Sequence, residues 1–237
     1  MNDFSRLEVE YEFVTTLINE SPLSIGSGRS LESYSDNPIV RLGREPYIPA
    51  SSIKGVLRNE AEKYARALSY YVCDIFDKVN GELELKKNKN DYTPCTICSI
   101  FGGPTIASSV YINNAILKSK EDRLVESVRK VSISRVVGAQ FSGRLYDLEY
   151  LIPYQEFDWS MKVVNLDILK DSKESNIIKY LINKMIKYGI AVGGRKSIGF
   201  GKVKIKKFEL KRYSLADNGK LVENDATNDY KRLLDIE

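Results

Sequence analysis

The residues best suited to chemistry fall in four places, and the first two suit a phosphate. Val192-Gly193-Gly194-Arg195-Lys196-Ser197-Ile198-Gly199-Phe200-Gly201-Lys202 crowds four glycines and three cations into one turn. Glycine carries no Cβ, so such a turn reaches positive φ and brings backbone N–H groups close to a ligand. Successive N–H groups make a concavity that holds an anion, and Arg195 and Lys196 add formal charge. Gly193, Gly194, Arg195, Lys196, Gly199 and Gly201 are therefore candidate phosphate contacts. The spacing is neither the dinucleotide fingerprint nor a P-loop, because no Gly-Lys-Ser/Thr opens a helix. A turn that only connects two elements is the competing reading.

The second place is Pro49-Ala50-Ser51-Ser52-Ile53-Lys54, with Arg58 a turn further on. It reads as a helix start in which Ser51 or Ser52 caps free N–H groups. Lys54 and Arg58 sit four apart and share one side of the first turns. A helix N-terminus is already positive, so two cations there suit an anion lying against them; a solvated basic face is the alternative. Asp36, in Ser35-Asp36-Asn37-Pro38, is the third place. On residue types alone this carboxylate suits an Asx-turn ahead of Pro38. The fourth is Cys95-Thr96-Ile97-Cys98, half of a zinc knuckle with Cys73 as a third ligand and a carboxylate or water as the fourth. Small buried thiols are the competing account.

The chain holds no histidine. That excludes imidazole acid–base catalysis and every His-containing triad or metal site. Hydrolysis must then use a carboxylate, Lys, Tyr or a metal ion. Three cysteines, an odd count, and no signal-like N-terminus speak against a disulfide framework and for the cytoplasm. With 237 residues and 43% apolar content, one domain with insertions is expected. No apolar run approaches the roughly 18 residues of a membrane span. The net charge of +4 argues little for nucleic acid. Its distribution says more: residues 196–212 are dense in Lys and Arg with Glu209 the one acid, whereas the first strand carries Glu8, Glu10 and Glu12. A basic stripe is expected where the glycine loop ends.

Periodicity supplies the elements that must position these groups. Leu7, Val9, Tyr11, Phe13, Thr15 and Leu17 alternate with Glu8, Glu10, Glu12 and Val14, as in a long strand with one buried face. Residues 19–49 read as a loop, long enough to be functional. Ile53, Val56, Leu57, Tyr64, Ala65 and Leu68 make the apolar face of a helix. Residues 74–91 read as a polar surface excursion, 110–112 as a strand and 121–130 as helix-compatible. Val131, Ile133, Arg135 and Val137 alternate as in an extended arm, with Gly138-Ala139-Gln140-Phe141-Ser142-Gly143 as its tip. Strands at Tyr146, Leu148, Tyr150 and Ile152 and at Phe157, Trp159, Met161 and Val163 are predicted to pair through a turn at Pro153-Tyr154-Gln155-Glu156. Trp159 belongs in the core. Ile178, Leu181, Ile182 and Met185 stripe a helix that Gly189 ends. In the last strand a bulge near Lys206-Lys207 keeps Val203, Ile205, Phe208 and Leu210 all inside. Residues 214–237 read as peripheral apart from Leu233-Leu234.

Strand, helix, two strands, helix, strand predicts an α+β chain with a ferredoxin-like (RRM-like) core. The core is expected from residues 6–72, 108–118 and 145–212 of a single domain spanning 1–237. Two long insertions interrupt it, a lid with the candidate metal knuckle at 73–107 and a hairpin at 131–146. The paired aromatic stacking motifs of a generic RNA-recognition module are missing.

Five segments in order resemble the RAMP (repeat-associated mysterious protein) superfamily, and within it the repeated backbone subunit of type III CRISPR effector complexes. They are Leu23-Ser24-Ile25-Gly26-Ser27-Gly28, Asp36-Asn37-Pro38-Ile39-Val40-Arg41, Tyr47-Ile48-Pro49-Ala50-Ser51-Ser52-Ile53-Lys54-Gly55-Val56-Leu57-Arg58, Cys98-Ser99-Ile100-Phe101-Gly102, and Gly193-Gly194-Arg195-Lys196-Ser197-Ile198-Gly199-Phe200-Gly201. The resemblance implies a subunit that stacks with neighbouring RAMP subunits, and with a large polymerase-like subunit, along a CRISPR guide RNA. Ser51, Ser52, Lys54, Arg58 and the glycine loop with Arg195 would grip guide phosphates. The hairpin carrying Arg135 would be the thumb that wedges between guide and target RNA. Relatives commonly place an acid before that arginine; Ser134 stands there in this chain. The resemblance also assigns Asp36 to target-RNA cleavage with Mg or Mn. Attack by a 2′-OH needs in-line geometry and stabilisation of charge on the phosphate, and a metal-bearing carboxylate supplies the second. The zinc some relatives carry near the C-x-x-C uses a histidine, which this chain lacks.

Three functions are thus in play. The first is a guide-binding backbone subunit with a metal-dependent endoribonuclease site at Asp36. The second is a non-catalytic scaffold of the same complex, and the last-ranked is an endoribonuclease that processes guide precursors. The RNA-grasping reading requires Lys54, Arg58 and Arg195 to face one groove.

Overall fold

The computed structural model describes residues 5–28, 35–79, 82–85, 93–121, 123–216 and 218–236. Arg29 and much of the polar excursion before Asp91 lie outside the described residues. In chain order the first elements are β1 (Glu10–Asn19), β2 (Arg41–Leu42), β3 (Glu45–Ile48), α1 (Ala50–Ala67), β4 (Phe76–Val79) and β5 (Glu82–Leu85). Next come α2 (Thr96–Phe101), β6 (Val110–Ile112), β7 (Ala115–Leu117), β8 (Val125–Ile133), β9 (Gln140–Leu151) and β10 (Glu156–Val164). The chain ends with α3 (Lys173–Lys187), β11 (Ile190–Ala191), a 3-10 turn (Lys196–Ile198), β12 (Lys202–Leu215), β13 (Leu221–Asp225) and α4 (Thr227–Leu233).

The molecule is a mixed helix and strand structure built on one antiparallel sheet, in the order β11-β12-β1-β10-β7-β3-β2, with β13 on β12 and β6 on β10. Its centre is β1. Tyr11, Phe13, Thr15 and Leu17 point into the core, while Glu10, Glu12, Val14 and Thr16 face the other way. Helices α1 and α3 cover the buried face with Ile53, Leu57, Ala61 and Ala65 from one and Ile178, Leu181, Ile182 and Met185 from the other. Lys184 of α3 is ion-paired with Glu60 of α1, and the rings of Tyr64 and Tyr180 stack at 3.9 Å. The expected bulge is present: Thr16 faces Lys207 but Leu17 faces Ile205, so Lys206 is the extra residue. Gly189, at φ +80°, ends α3 as read, and a reciprocal Ser172–Ser175 cap starts it. Trp159 is buried. Among the described residues no helix is long and apolar enough to cross a membrane.

Several expectations fail on long-range pairing. β9 does not pair with β10; it pairs with β8 in a separate two-stranded sheet. The cause is Asn19, which is fully buried. Its Oδ1 accepts the Gln155 N–H at 2.8 Å, and its Nδ2 donates to Ser21 O and Ile152 O. The chain therefore turns a corner there instead of folding back. Residues 125–130 are strand, not helix, because the segment finds a long-range backbone partner in β9, Val125 facing Leu151 through Lys130 facing Tyr146. The tip of this hairpin is residues 134–139, closed by Ser134 N–H to Ala139 O and Gly138 N–H to Ser134 O, so 140–143 belong to the strand.

Helix α1 is capped differently from the expectation. Its N-cap is Pro49 with no side-chain cap, and Asn114 Oδ1 takes the Ala50 N–H at 2.8 Å. Leu68 is 43% exposed and lies off the apolar face. The C-terminal segment is not peripheral either. Tyr230 is fully buried with its ring centroid 5.3 Å from that of Phe13, and Ala226 and Leu234 are buried beside it, so this end of the chain joins the core while β13 stays exposed. The basic stripe is largely neutralised on the sheet: Lys202 and Lys204 pair with Glu20, Lys206 with Glu156, and Lys211 with Glu223.

Candidate nucleic-acid interface

Strand β9 gathers the groups that matter. The loop carrying Asp36 is laced along it: Asn37 donates its N–H to Asp147 O at 3.1 Å and accepts the Glu149 N–H at 3.2 Å. Asp36 Oδ2 accepts the Asp147 N–H at 3.0 Å, although the residue itself is exposed. The Asp147 carboxylate pairs with Arg129, and Glu149 Oε2 takes both the Ile39 N–H and the Arg41 guanidinium. The glycine loop meets the same strand, with Arg195 5.6 Å from the Tyr146 ring and Phe200 edge-on to Tyr150. Arg195 thus meets the Tyr146 side chain, and Asp36 the backbone N–H of the next residue of β9.

The glycines serve packing more than anion binding. A Cβ on Gly193 would stand 2.5 Å from Ser24 O, and one on Gly201 2.0 Å from Val192 O. The Gly194 N–H donates to Ser24 O at 2.9 Å and the Gly201 N–H to Pro22 O at 2.8 Å. The Gly199 N–H closes the 3-10 turn on Lys196 O. These three amides are thus taken by carbonyls of the chain itself. The loop still offers a phosphate the side chains of half-buried Arg195 and exposed Lys196.

Lys54 and Arg58 sit together elsewhere. Lys54 Nζ donates to Ser108 Oγ at 3.0 Å and Val110 O at 3.3 Å, using two of its three N–H groups. Burial, and then the neighbouring Arg58 charge, push its pKa down. A cation held in this way gains from any anion alongside it. Arg58 donates to Gly102 O at 2.8 Å, pairs with Glu62, and lies 3.7 Å from Cys98 Sγ. Among the described residues no hydrogen bond, ion pair or ring contact links Arg195 to Lys54 or Arg58. Lys54 and Arg58 are held by groups of residues 98–110, and Arg195 lies against the hairpin strand. Exposed Ser51 and half-buried Ser52 lie at the start of α1, and Arg135 at the exposed hairpin tip.

Cys73, Cys95 and Cys98 converge although 22 residues separate the first two. Their sulfurs lie 3.4, 3.2 and 4.0 Å apart, and all three residues are buried. Tetrahedral zinc with Zn–S near 2.3 Å would place sulfurs about 3.8 Å apart, so the set fits a thiolate-bound metal. Hydrogen bonding from Cys98 pushes Cys95 down to about 4 despite burial, and Cys98 moves up correspondingly. Among the described residues no carboxylate joins the cluster.

Residue types alone did not mark Tyr146, Asp147, Glu149 or Arg41. The alternation Tyr146-Asp147-Leu148-Glu149-Tyr150 reveals a strand. What its polar face would hold depends on a loop more than a hundred residues earlier. The RAMP superfamily model matches residues 16–204, most of the chain and all five of the segments above. The chain belongs to the RAMP superfamily. This RAMP protein is also 24% identical over 192 residues to the CRISPR system Cms endoribonuclease Csm3 of Methanocaldococcus jannaschii, an alignment spanning 74% of this chain and 69% of that relative. The matched span of the RAMP protein contains Asp36, α1, the three cysteines and the glycine loop, so both sets of cations lie within it.

Proposed function

We propose that this RAMP protein is a guide-RNA-binding backbone subunit of a type III CRISPR complex and cuts target RNA at a divalent-metal-dependent site built on Asp36. One observation carries this reading: in a chain of this superfamily, the Asp36 loop is laced onto the hairpin strand that also receives Arg195. The likeness to a protein described as a CRISPR endoribonuclease supports it. A ferredoxin-like core is part of the same proposal. The run β12-β1-β10-β6, with α1 and α3 over one face, supports it.

In this reading Arg195, Lys196 and the third N–H of Lys54 bind guide phosphates, each as a charge that reads no sequence. The hairpin with Arg135 reaches between guide and target, and β9 holds the Asp36 carboxylate in place. Mg2+ or Mn2+ held there would offset negative charge building on the scissile phosphate. The three cysteines would hold zinc as a structural knuckle. Partners are the guide RNA, the target RNA, neighbouring RAMP subunits and the large polymerase-like subunit, in the cytoplasm.

A scaffold role for Asp36 draws on one specific contact, since its Oδ2 already accepts the Asp147 N–H. The two readings separate in an assembled, guide-loaded particle given complementary RNA and Mg2+ or Mn2+. The catalytic reading expects Asp36→Ala to abolish cutting while guide and target stay bound. Undiminished cutting assigns Asp36 to the loop alone. Cutting of unpaired precursor RNA by the isolated chain would instead support guide processing.

A further inference from the structure

We propose that Glu149 is a positioning residue for the Asp36 site, acting through Arg41. The proposal rests on the reading of Asp36 as the metal-holding carboxylate. Asp36 lies in a loop with no long strand or helix around it, so its placement depends on what the loop is tied to. Its own carboxylate and both polar groups of the Asn37 backbone are tied to the Asp147 and Glu149 backbones. The loop exit is tied in turn to the segment before it, by Ser27 N–H to Pro38 O at 3.1 Å and Val40 N–H to Ile25 O at 2.7 Å. Glu149 adds the side-chain anchor that joins this exit to β9 itself. Its Oε2 takes the Ile39 N–H at 3.2 Å and Arg41 Nη2 at 3.0 Å.

Three features give this anchor consequence. Ile39 is buried, so losing its acceptor strands a backbone N–H away from water. The Glu149 and Arg41 side chains are only 21% and 34% exposed, so the pair is partly shielded from solvent. Arg41 also cancels a negative charge on the strand that carries Asp147, and Arg129 cancels that of Asp147 itself. Asp36 is thereby left as the carboxylate of the group with no cation paired to it in the contacts described. Glu149 differs from Asp36 as a ligand because its charge is already paired with the Arg41 guanidinium. Its role is to hold the loop exit in register, and a misplacement of about 1 Å at a reacting centre slows a reaction on the order of a hundredfold.

The test uses guide-loaded particles carrying Glu149→Gln, Arg41→Lys or Asp36→Ala, with target cleavage measured under single-turnover conditions across a Mn2+ series. Glu149→Gln keeps an oxygen for Ile39 but loses the ion pair; Arg41→Lys keeps the charge but loses the planar fork. The expected order of rates is wild type, then Arg41→Lys, then Glu149→Gln at least tenfold down. The Mn2+ concentration for half-maximal rate should rise, with guide retention and melting temperature unchanged. A purely structural role would lower the melting temperature and leave the Mn2+ dependence alone, which would overturn the proposal. Wild-type rates in both variants while Asp36→Ala abolishes cutting would overturn the anchor and leave the Asp36 reading intact. Undiminished cutting by Asp36→Ala would remove the reading itself, and the anchor with it.

Discussion

Gly201 lies so close beneath Val192 that a Cβ would stand 2.0 Å from the Val192 carbonyl oxygen, and its φ is +86°. The obstructing atom is backbone and cannot rotate away. Gly201→Ala should therefore destabilise the chain by about 2–4 kcal/mol in urea titration. Gly199 has φ +90° but meets nothing within 4 Å, so Gly199→Ala should cost only about 1–2 kcal/mol of backbone strain. Equal losses at the two positions would contradict the packing explanation.

Asn19 predicts a larger sensitivity than its place at the end of a strand suggests. Its amide donates to two backbone carbonyls and its Oδ1 accepts one N–H. Asn19→Asp turns the donor edge toward Ser21 O and Ile152 O into a charged acceptor. A loss of about 3 kcal/mol is expected from an unpaired, desolvated charge, read as a lower denaturation midpoint. Asn19→Ala should lose less, because it strands partners without adding charge.

The Glu60–Lys184 pair makes stability depend on pH in a defined direction. Burial pushes the Glu60 pKa up, but Lys184 and Lys63 outweigh it and hold the group below its ordinary 4.5. Its contribution is therefore whole above about pH 4.5 and fades as pH falls through the lower folded value. Burial pushes Lys184 down, yet Glu60 lifts it above its ordinary 10.5. That share is whole below pH 10.5 and fades as pH rises through the higher folded value. Glu60→Gln should cost about 1–2 kcal/mol at pH 7, between exposed and buried pair values. The gap between wild type and variant should narrow in acid.

Guide binding by the assembled particle gives a charge-by-charge check. Arg195→Ala should weaken it across all guide sequences and flatten the salt slope by about 1. Lys54→Gln should act similarly through the α1 site. Because no hydrogen bond, ion pair or ring contact among the described residues joins the two places, their effects should add. Strong coupling in a double-mutant cycle would show that they act as one site.

The cysteine cluster can be probed with cobalt. Titrating the purified chain with Co2+ should give thiolate-to-metal absorption at one equivalent, lost in Cys95→Ser. Strong chelator should lower the melting temperature of the zinc-loaded wild type and leave that of Cys95→Ser unchanged. A colourless titration would leave three buried thiols with a packing role.

What the amino-acid order determines by itself is whatever depends on near neighbours. The period of two in β1 and the stripes of α1 and α3 were legible because burial of one face imposes them locally. The Gly189 stop and the extra residue at Lys206 are of the same kind, since each answers a constraint set within a few positions. The absence of histidine narrowed the chemistry before any coordinates. The partner of β9, the core role of Tyr230 and the gathering of Cys73 with Cys95 and Cys98 were not legible, because each joins segments far apart along the chain. The same limit hid Glu149. Only the three-dimensional packing decides which strand a polar loop is tied to, since the bonds that tie it are mostly backbone bonds, which every residue but proline offers alike.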